Sequence, residues 1–167
     1  MIHPLAHDTL SAAADVIRQS FRTVADEFGL TPENCPSHPA FLSEAHLQAQ
    51  VDAGLQLSGY FAGDVLGGVV GIKRESPGAF SIEKLAVLPA YRHRRFGAKL
   101  MTFACEEILR LGGEKACIGI VDENTVLKQW YARQGFVITG TKRFPCLPFT
   151  VCVMEKVLKH PTVDDTY

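Results

Sequence analysis

The chain has 167 residues, a formal net charge of −1, and 47% hydrophobic against 21% charged residues. That suffices for one domain with its own core, and the near-zero charge supplies no global basic field for a nucleic-acid partner. The apolar runs are strand-length, so no membrane span is expected; Met1-Ile2-His3-Pro4 shows no secretory signal, and five cysteines without a Cys-x-x-Cys pair point to reduced thiols in the cytoplasm.

Ile2–Leu5 is expected to form a short edge strand, since Pro4 suits only an edge. Asp8 is placed to cap a helix whose apolar stripe is Leu10, Ala14, Ile17, Phe21, Val24/Ala25 and Phe28, with Gly29 as its stop. Leu30–Ala40 carries three prolines and no periodicity, and reads as a loop. Phe41–Ala53 reads as a weaker helix, with Ser43 near its start and Gly54 after it. Leu55–Ala62 and Val65–Lys73 read as a hairpin turned at Gly63-Asp64. Gly67, Gly68 and Gly71 weaken its second strand and mark a bulge or a close approach of backbone.

Phe80–Leu111 organises the rest of the chain. Phe80–Val87 is a buried strand holding one acid, Glu83, and Pro89 stops it. A helix follows with Phe96, Leu100, Phe103/Ala104, Ile108 and Leu111 on one stripe, ended by Gly112-Gly113. Between them stand Arg92, His93, Arg94 and Arg95, then Phe96, Gly97 and Ala98. A helix N-terminus offers unpaired N–H groups and partial positive charge. Arginines there, beside a small Gly97-Ala98 step, make a site for a diphosphate. Ala116–Val121 is another buried strand, so a right-handed strand–helix–strand crossover with two parallel neighbours is expected. Asn124 can cap a short helix through Gln134, and Phe136–Lys142 and Phe149–Val157 close the chain as antiparallel strands. One domain over residues 1–160 and a polar tail over 161–167 are expected.

Leu85-Ala86-Val87-x-Pro-x-Tyr-Arg-x-x-x-x-Gly-Ala resembles the acyl-CoA-binding segment of the GNAT N-acetyltransferase superfamily. Asn124, Tyr131, Gly135 and Phe136 resemble that family's Asn-…-Tyr-x-x-x-Gly-Phe signature. The order of elements resembles the GNAT fold over essentially the whole chain. The resemblance implies an α/β (α+β) class: a mixed, mostly antiparallel twisted sheet, a central parallel βαβ pair splayed to bind acyl-CoA, and helices on both faces. It also implies acetyl-CoA as cofactor, held by Leu85, Ala86, Val87, Arg92, His93, Arg94, Arg95, Phe96, Gly97, Ala98, Asn124 and Tyr131. One departure stands out. The family pattern Arg/Gln-x-x-Gly-x-Gly/Ala falls on Arg92-His93-Arg94-Arg95-Phe96-Gly97, so Arg95 replaces the first glycine. With a negative φ in the first helical turn, a side chain is sterically possible there. Its guanidinium would either add a phosphate contact or crowd the loop.

Acetyl transfer to an amine requires a held cofactor, a neutral amine, a stabilised oxyanion and a protonated leaving thiolate. By resemblance, Leu85, Ala86 and Val87 supply the strand edge, and one of their N–H groups polarises the thioester carbonyl. An alkylamine of pKa ~10.4 is neutral only to roughly one part in a few thousand at pH 7. Glu83 is the leading general base, able to act through water, with His38, Glu44 and His46 as rivals; the plainer alternative is that Glu83 forms an ion pair or faces solvent. Tyr131 is the candidate general acid, with aromatic packing as the alternative. Asn124 either caps its helix alone or also contacts the pantetheine amide. His38, Phe41 and Phe144 are candidates for the acceptor pocket. Cys35-Pro36-Ser37-His38 with a distant Cys146 is too sparse for structural zinc, and no metal is expected.

The leading expectation is an acetyl-CoA-dependent N-acetyltransferase acting on a small-molecule or peptide amine by direct attack in a ternary complex. No cysteine lies in either motif, which argues against an acyl-cysteine route. A non-catalytic acyl-CoA-binding or sensing domain of the same fold is the alternative. A nucleic-acid or protein-docking role for the basic cluster leaves the second motif unexplained, and neither a nucleic-acid nor a membrane partner is expected. A homodimer through the C-terminal strands is implied by the resemblance.

Overall fold

The computed structural model describes residues 1–160; the expected polar tail, 161–167, lies outside the described residues. Seven strands form one sheet: β1 (Ile2–Pro4), β2 (Gln56–Ala62), β3 (Val65–Ser76), β4 (Ala79–Val87), β5 (Lys115–Val121), β6 (Val137–Arg143) and β7 (Thr150–Val157). Their order across the sheet is β1-β2-β3-β4-β5-β7-β6, and β4–β5 is the one parallel pair. The strand β7 thus inserts between β5 and β6 and leaves β6 at the edge. Pro4 sits on β1, at the opposite edge, where its missing N–H breaks no ladder.

Four helices, α1 (Leu10–Phe28), α2 (Glu44–Asp52), α3 (Phe96–Arg110) and α4 (Thr125–Arg133), cover the two faces. Alternation along the strands sends Val70, Ile72, Phe80, Ile82, Ile118 and Ile120 into a core with Leu100, Met101, Ala104 and Ile108 of α3 and Tyr131 of α4. Leu57, Val69 and Ala86 face the other way, against Leu10, Ala13, Ala14 and Ile17 of α1 and Leu47 of α2. The glycines of β3 admit close approach: a Cβ at Gly68 would lie 2.8 Å from Leu100 Cδ1, and one at Gly67 3.1 Å from the Phe96 ring.

Three local expectations are corrected. A single 3₁₀ turn, His7–Thr9, separates Asp8 from the first helix, and Thr9, not Asp8, stands at the N-cap. The second helix begins at Glu44 rather than Phe41 because Ser43 Oγ accepts from His46 N at 3.1 Å and fixes the start. The third strand runs to Ser76, since its ladder with β4 continues that far. Gly29 ends α1 at a φ of 64°, the left-handed conformation that only glycine adopts freely. No helix among the described residues is long and apolar enough to cross a membrane.

Candidate active site

The parallel pair is joined only at its start. Ala79, Phe80 and Ser81 pair with Lys115, Ala116 and Cys117, after which β4 runs on to Val87 and β5 to Val121 without pairing each other. The two strands therefore splay into a V whose β4 edge carries main-chain groups with no strand partner. Leu88 N donates to Gly67 O at 2.9 Å, so strand alternation turns the Ala86 peptide toward β3 and those of Leu85 and Val87 toward the V.

Val87 is already engaged there. Its N–H donates to Ser20 Oγ of α1 at 3.2 Å, and its carbonyl accepts from Arg92 Nε at 3.3 Å. Arg92 Nη2 continues to Ser20 O at 3.0 Å and Thr23 Oγ1 at 3.3 Å. The Arg92 guanidinium is thus turned inward, tying the loop to α1, and burial lowers its pKa. Arg92→Leu leaves carbonyl oxygens of Val87 and Ser20 without this donor, a loss of about 1–3 kcal/mol. At about 2–4 °C per kcal/mol for a chain of this size, a thermal melt is expected to show a Tm several degrees lower.

The remaining basic side chains point outward. His93, Arg94 and Arg95 are exposed, and Arg94 lies over the Tyr91 ring at 5.7 Å. The negative φ under which a side chain at Arg95 would sit without strain is not adopted: Arg95 is the N-cap of α3 at φ 62°, and His93 stands at φ 63°. The glycine of the family pattern would relieve this conformation, which costs an L-residue roughly 1–2 kcal/mol. Left-handed residues alternating along a turn aim successive N–H groups into one concavity, an anion nest. Beyond it α3 opens with no side-chain cap, leaving the N–H groups of Phe96, Gly97 and Ala98 for a ligand. The Phe96 side chain is buried and stacked on Tyr60 at 4.0 Å and Tyr91 at 5.4 Å, so only its backbone faces the nest. Arg95→Gly is expected to keep or raise Tm, while β-branched Arg95→Val lowers it by a few degrees; a pair of thermal melts checks both.

A bulge-type irregularity shapes the middle of β4. The register jumps from Gly71↔Glu83 to Val69↔Ala86, and Lys84 takes a φ of 56°. Glu83 Oε1 lies 3.2 Å from Ser81 Oγ, whose one proton it shares with Glu75 Oε1 at 2.8 Å; Lys84 Nζ is 3.9 Å from its other oxygen, and its side chain is 35% exposed. His38 is buried; its Nδ1 accepts from Ala40 N at 3.2 Å, which leaves the proton on Nε2. Burial, then the nearby Lys84 charge, pushes the His38 imidazole down in pKa and keeps it neutral. Glu44 and His46 are exposed on α2.

On the far arm of the V, Asn124 Oδ1 caps α4 by accepting from Leu127 N at 3.1 Å. Tyr131 is buried edge-on to Trp130 and Phe136. Burial pushes its phenol above the ordinary range, so it stays protonated and able to donate. Trp130 reaches across to α3: a Cβ on Gly97 would come within 3.3 Å of its ring.

The connection between α1 and α2 and that between β6 and β7 share one apolar cluster, in which Leu30, Cys35 and Ala40 meet Phe21, Phe28, Phe41, Leu147 and Phe149. A cavity of about 100 Å³ lies beside it, lined in part by Asn34, Glu123 and Phe149. Phe41 belongs to this wall, whereas Phe144 is 44% exposed and does not. A larger open hollow of about 440 Å³ runs along α3 and shares Arg95 and Ala98 with the loop, but Glu83 and Tyr131 do not line it. Sequence reasoning missed Ser20 and Lys84. The signal for Ser20 was a hydroxyl at a buried position of the α1 stripe.

Residues 56–138, about half of the chain, match the family model of the acetyltransferase (GNAT) domain. An uncharacterized N-acetyltransferase of Schizosaccharomyces pombe is 36% identical over 62 residues, 37% of this chain and 42% of that protein. The match thus spans less than half the length of this curated relative. The fold superposes on the PaiA N-acetyltransferase of Thermoplasma acidophilum, solved in complex with coenzyme A, with a TM-score of 0.73 at 20% identity, covering 94% of this chain and 98% of that one. It superposes equally, at 0.73, on yncA of Salmonella typhimurium with its cofactor acetyl-CoA, at 15% identity over 100% of this chain and 98% of that one. The ribosomal-protein-S18-alanine N-acetyltransferase of Escherichia coli gives 0.73 at 13% identity, covering 100% and 99%. With both motifs, the splayed pair and these likenesses in place, the chain belongs to the GNAT acetyltransferase family.

Proposed function

We propose that the protein transfers an acetyl group from acetyl-CoA to a primary amine by direct attack in a ternary complex. The observation that carries the reading is the V between β4 and β5, flanked by a nest of left-handed residues and an uncapped helix N-terminus. These features fit the cofactor: an extended amide-bearing arm along the β4 edge and a diphosphate at the nest. Acetyl-CoA supplies an activated thioester.

The chain's own groups then have distinct tasks. The backbone N–H groups of Phe96, Gly97 and Ala98 bind the diphosphate, with His93, Arg94 and Arg95 providing charge around it. Arg92 holds the loop against α1. Leu85 N–H, the one of the three edge amides neither facing β3 nor taken by Ser20, donates to the thioester carbonyl oxygen. Glu83 removes a proton from the acceptor ammonium, directly or through water, and so leaves a neutral amine to attack. The amine forms the new C–N bond as the C–S bond breaks, and the Tyr131 hydroxyl donates to the departing sulfur. Asn124 serves the pantetheine amide from the helix start it caps.

His38 and Phe41 wall the acceptor side. Two copies pair through the exposed edge strand β6, where Val137 and Ile138 show their side chains, and five unpaired thiols suit the cytoplasm.

The deep burial of Tyr131 between Trp130 and Phe136 favours a second reading, a non-catalytic acyl-CoA-binding domain in which Tyr131 only packs. Mass detection of acetylated product from a panel of primary amines separates the two. Product from the natural protein, lost in Glu83→Gln, supports transfer. Tight acetyl-CoA binding with no product from any amine supports the second reading.

A further inference from the structure

The bulge in β4 does more than shift the register. Phe80 and Ile82 point into the α3 core, and so do Leu85 and Val87. The extra residue places Glu83 and Lys84 together on the opposite face, toward α1 and the connection that holds His38. The Lys84 side chain is only 11% exposed. Its nearest carboxylate, Glu83 Oε2, is 3.9 Å away, beyond hydrogen-bond reach, and no acceptor among the described residues takes a hydrogen bond from its Nζ. Two further titratable groups lie on this side: Glu75, whose Oε1 is 2.8 Å from Ser81 Oγ, and His38, which is neutral with its Nδ1 occupied. Burial accordingly lowers the Lys84 pKa, with Glu83 opposing.

A cation on a side chain this little exposed, loosely paired and without a hydrogen bond from the protein, is held at a cost that an incoming anion reduces. A carboxylate reaching Nζ would make a short charge-assisted bond and leave Glu83 to the ammonium of the same molecule. The two protein charges sit side by side, as the two charges of an α-amino acid do. Phe21 and Phe41, whose rings lie 5.8 and 6.1 Å from His38, supply an apolar flank.

We propose that Lys84 is a specificity residue that binds the carboxylate of the acceptor, making the substrate an α-amino acid with an apolar side chain. The proposal rests on the acetyl-transfer reading above. It disfavours alkylamines, polyamines and lysine side chains, whose single or multiple positive charges meet Lys84 without a compensating anion.

The experiment compares amino acids with their decarboxylated partners: L-leucine with isopentylamine, L-methionine with methylthiopropylamine, and L-phenylalanine with phenethylamine. Acetyl-CoA is the donor, and both CoA release and product mass are followed. The natural protein is expected to favour the amino acid in at least one pair by about 10- to 100-fold in kcat/KM, the worth of a hydrogen bond to a charged group. In Lys84→Met that preference falls to about one, chiefly through KM, and Lys84→Arg restores part of it; thermal melts confirm that each variant is folded. Equal or better use of the amines by the natural protein, or a preference that survives Lys84→Met, overturns the proposal. So does the absence of product from every pair in a protein that binds acetyl-CoA. Failure to bind acetyl-CoA at all overturns the acetyl-transfer reading itself, and this inference with it.

Discussion

Tyr131→Phe lowers kcat by about 10²-fold or more, the range of a general acid, while acetyl-CoA binding changes by less than about twofold. The substitution removes one oxygen from a ring packed between Trp130 and Phe136 and leaves that packing in place. Because burial holds the phenol protonated, the natural protein keeps this donor across about pH 6 to 9, well below its titration. The deficit of the variant is therefore the same factor throughout that range. Steady-state rates against pH check this. An unchanged kcat would assign Tyr131 to packing alone.

Glu83→Gln also lowers the rate by about 10²-fold near neutrality, and its pH dependence differs. Without a proton acceptor, the variant relies on amine that is already neutral, a fraction rising about tenfold per pH unit up to the amine pKa. The gap to the natural protein then narrows as pH rises. Glutamine keeps the shape and can still accept from Ser81 Oγ, so the comparison isolates the carboxylate. His38 is poorly placed to substitute, since its Nδ1 already accepts from Ala40 N. A deficit that is constant with pH, or none, would remove Glu83 from the proton path.

Much of this architecture is legible in local pattern. The stripes of α1 and α3, the Gly63-Asp64 hairpin and the Asn124 cap follow from periodicity and turn chemistry. The bulge was legible too, though subtly: apolar residues fall at 80 and 82 and then at 85 and 87, a one-residue slip that a strict two-residue period forbids. The conformation of Arg95 was not legible, because an arginine conceals the positive φ that a glycine would have advertised. Nor was the inward turn of Arg92, which depends on Ser20 and Thr23, about seventy residues earlier in the chain. Local propensity carries no record of such long-range contacts. The same holds for the burial of Lys84 where its charge reaches His38, a meeting of a strand with a distant loop.

With an arginine where the family has glycine, this loop is still expected to bind the diphosphate of acetyl-CoA. Calorimetric titration of acetyl-CoA into the natural protein, beside Arg95→Gly, tests it most directly. One-site binding by the natural protein at about micromolar Kd is the predicted result. No binding by either protein would contradict the account.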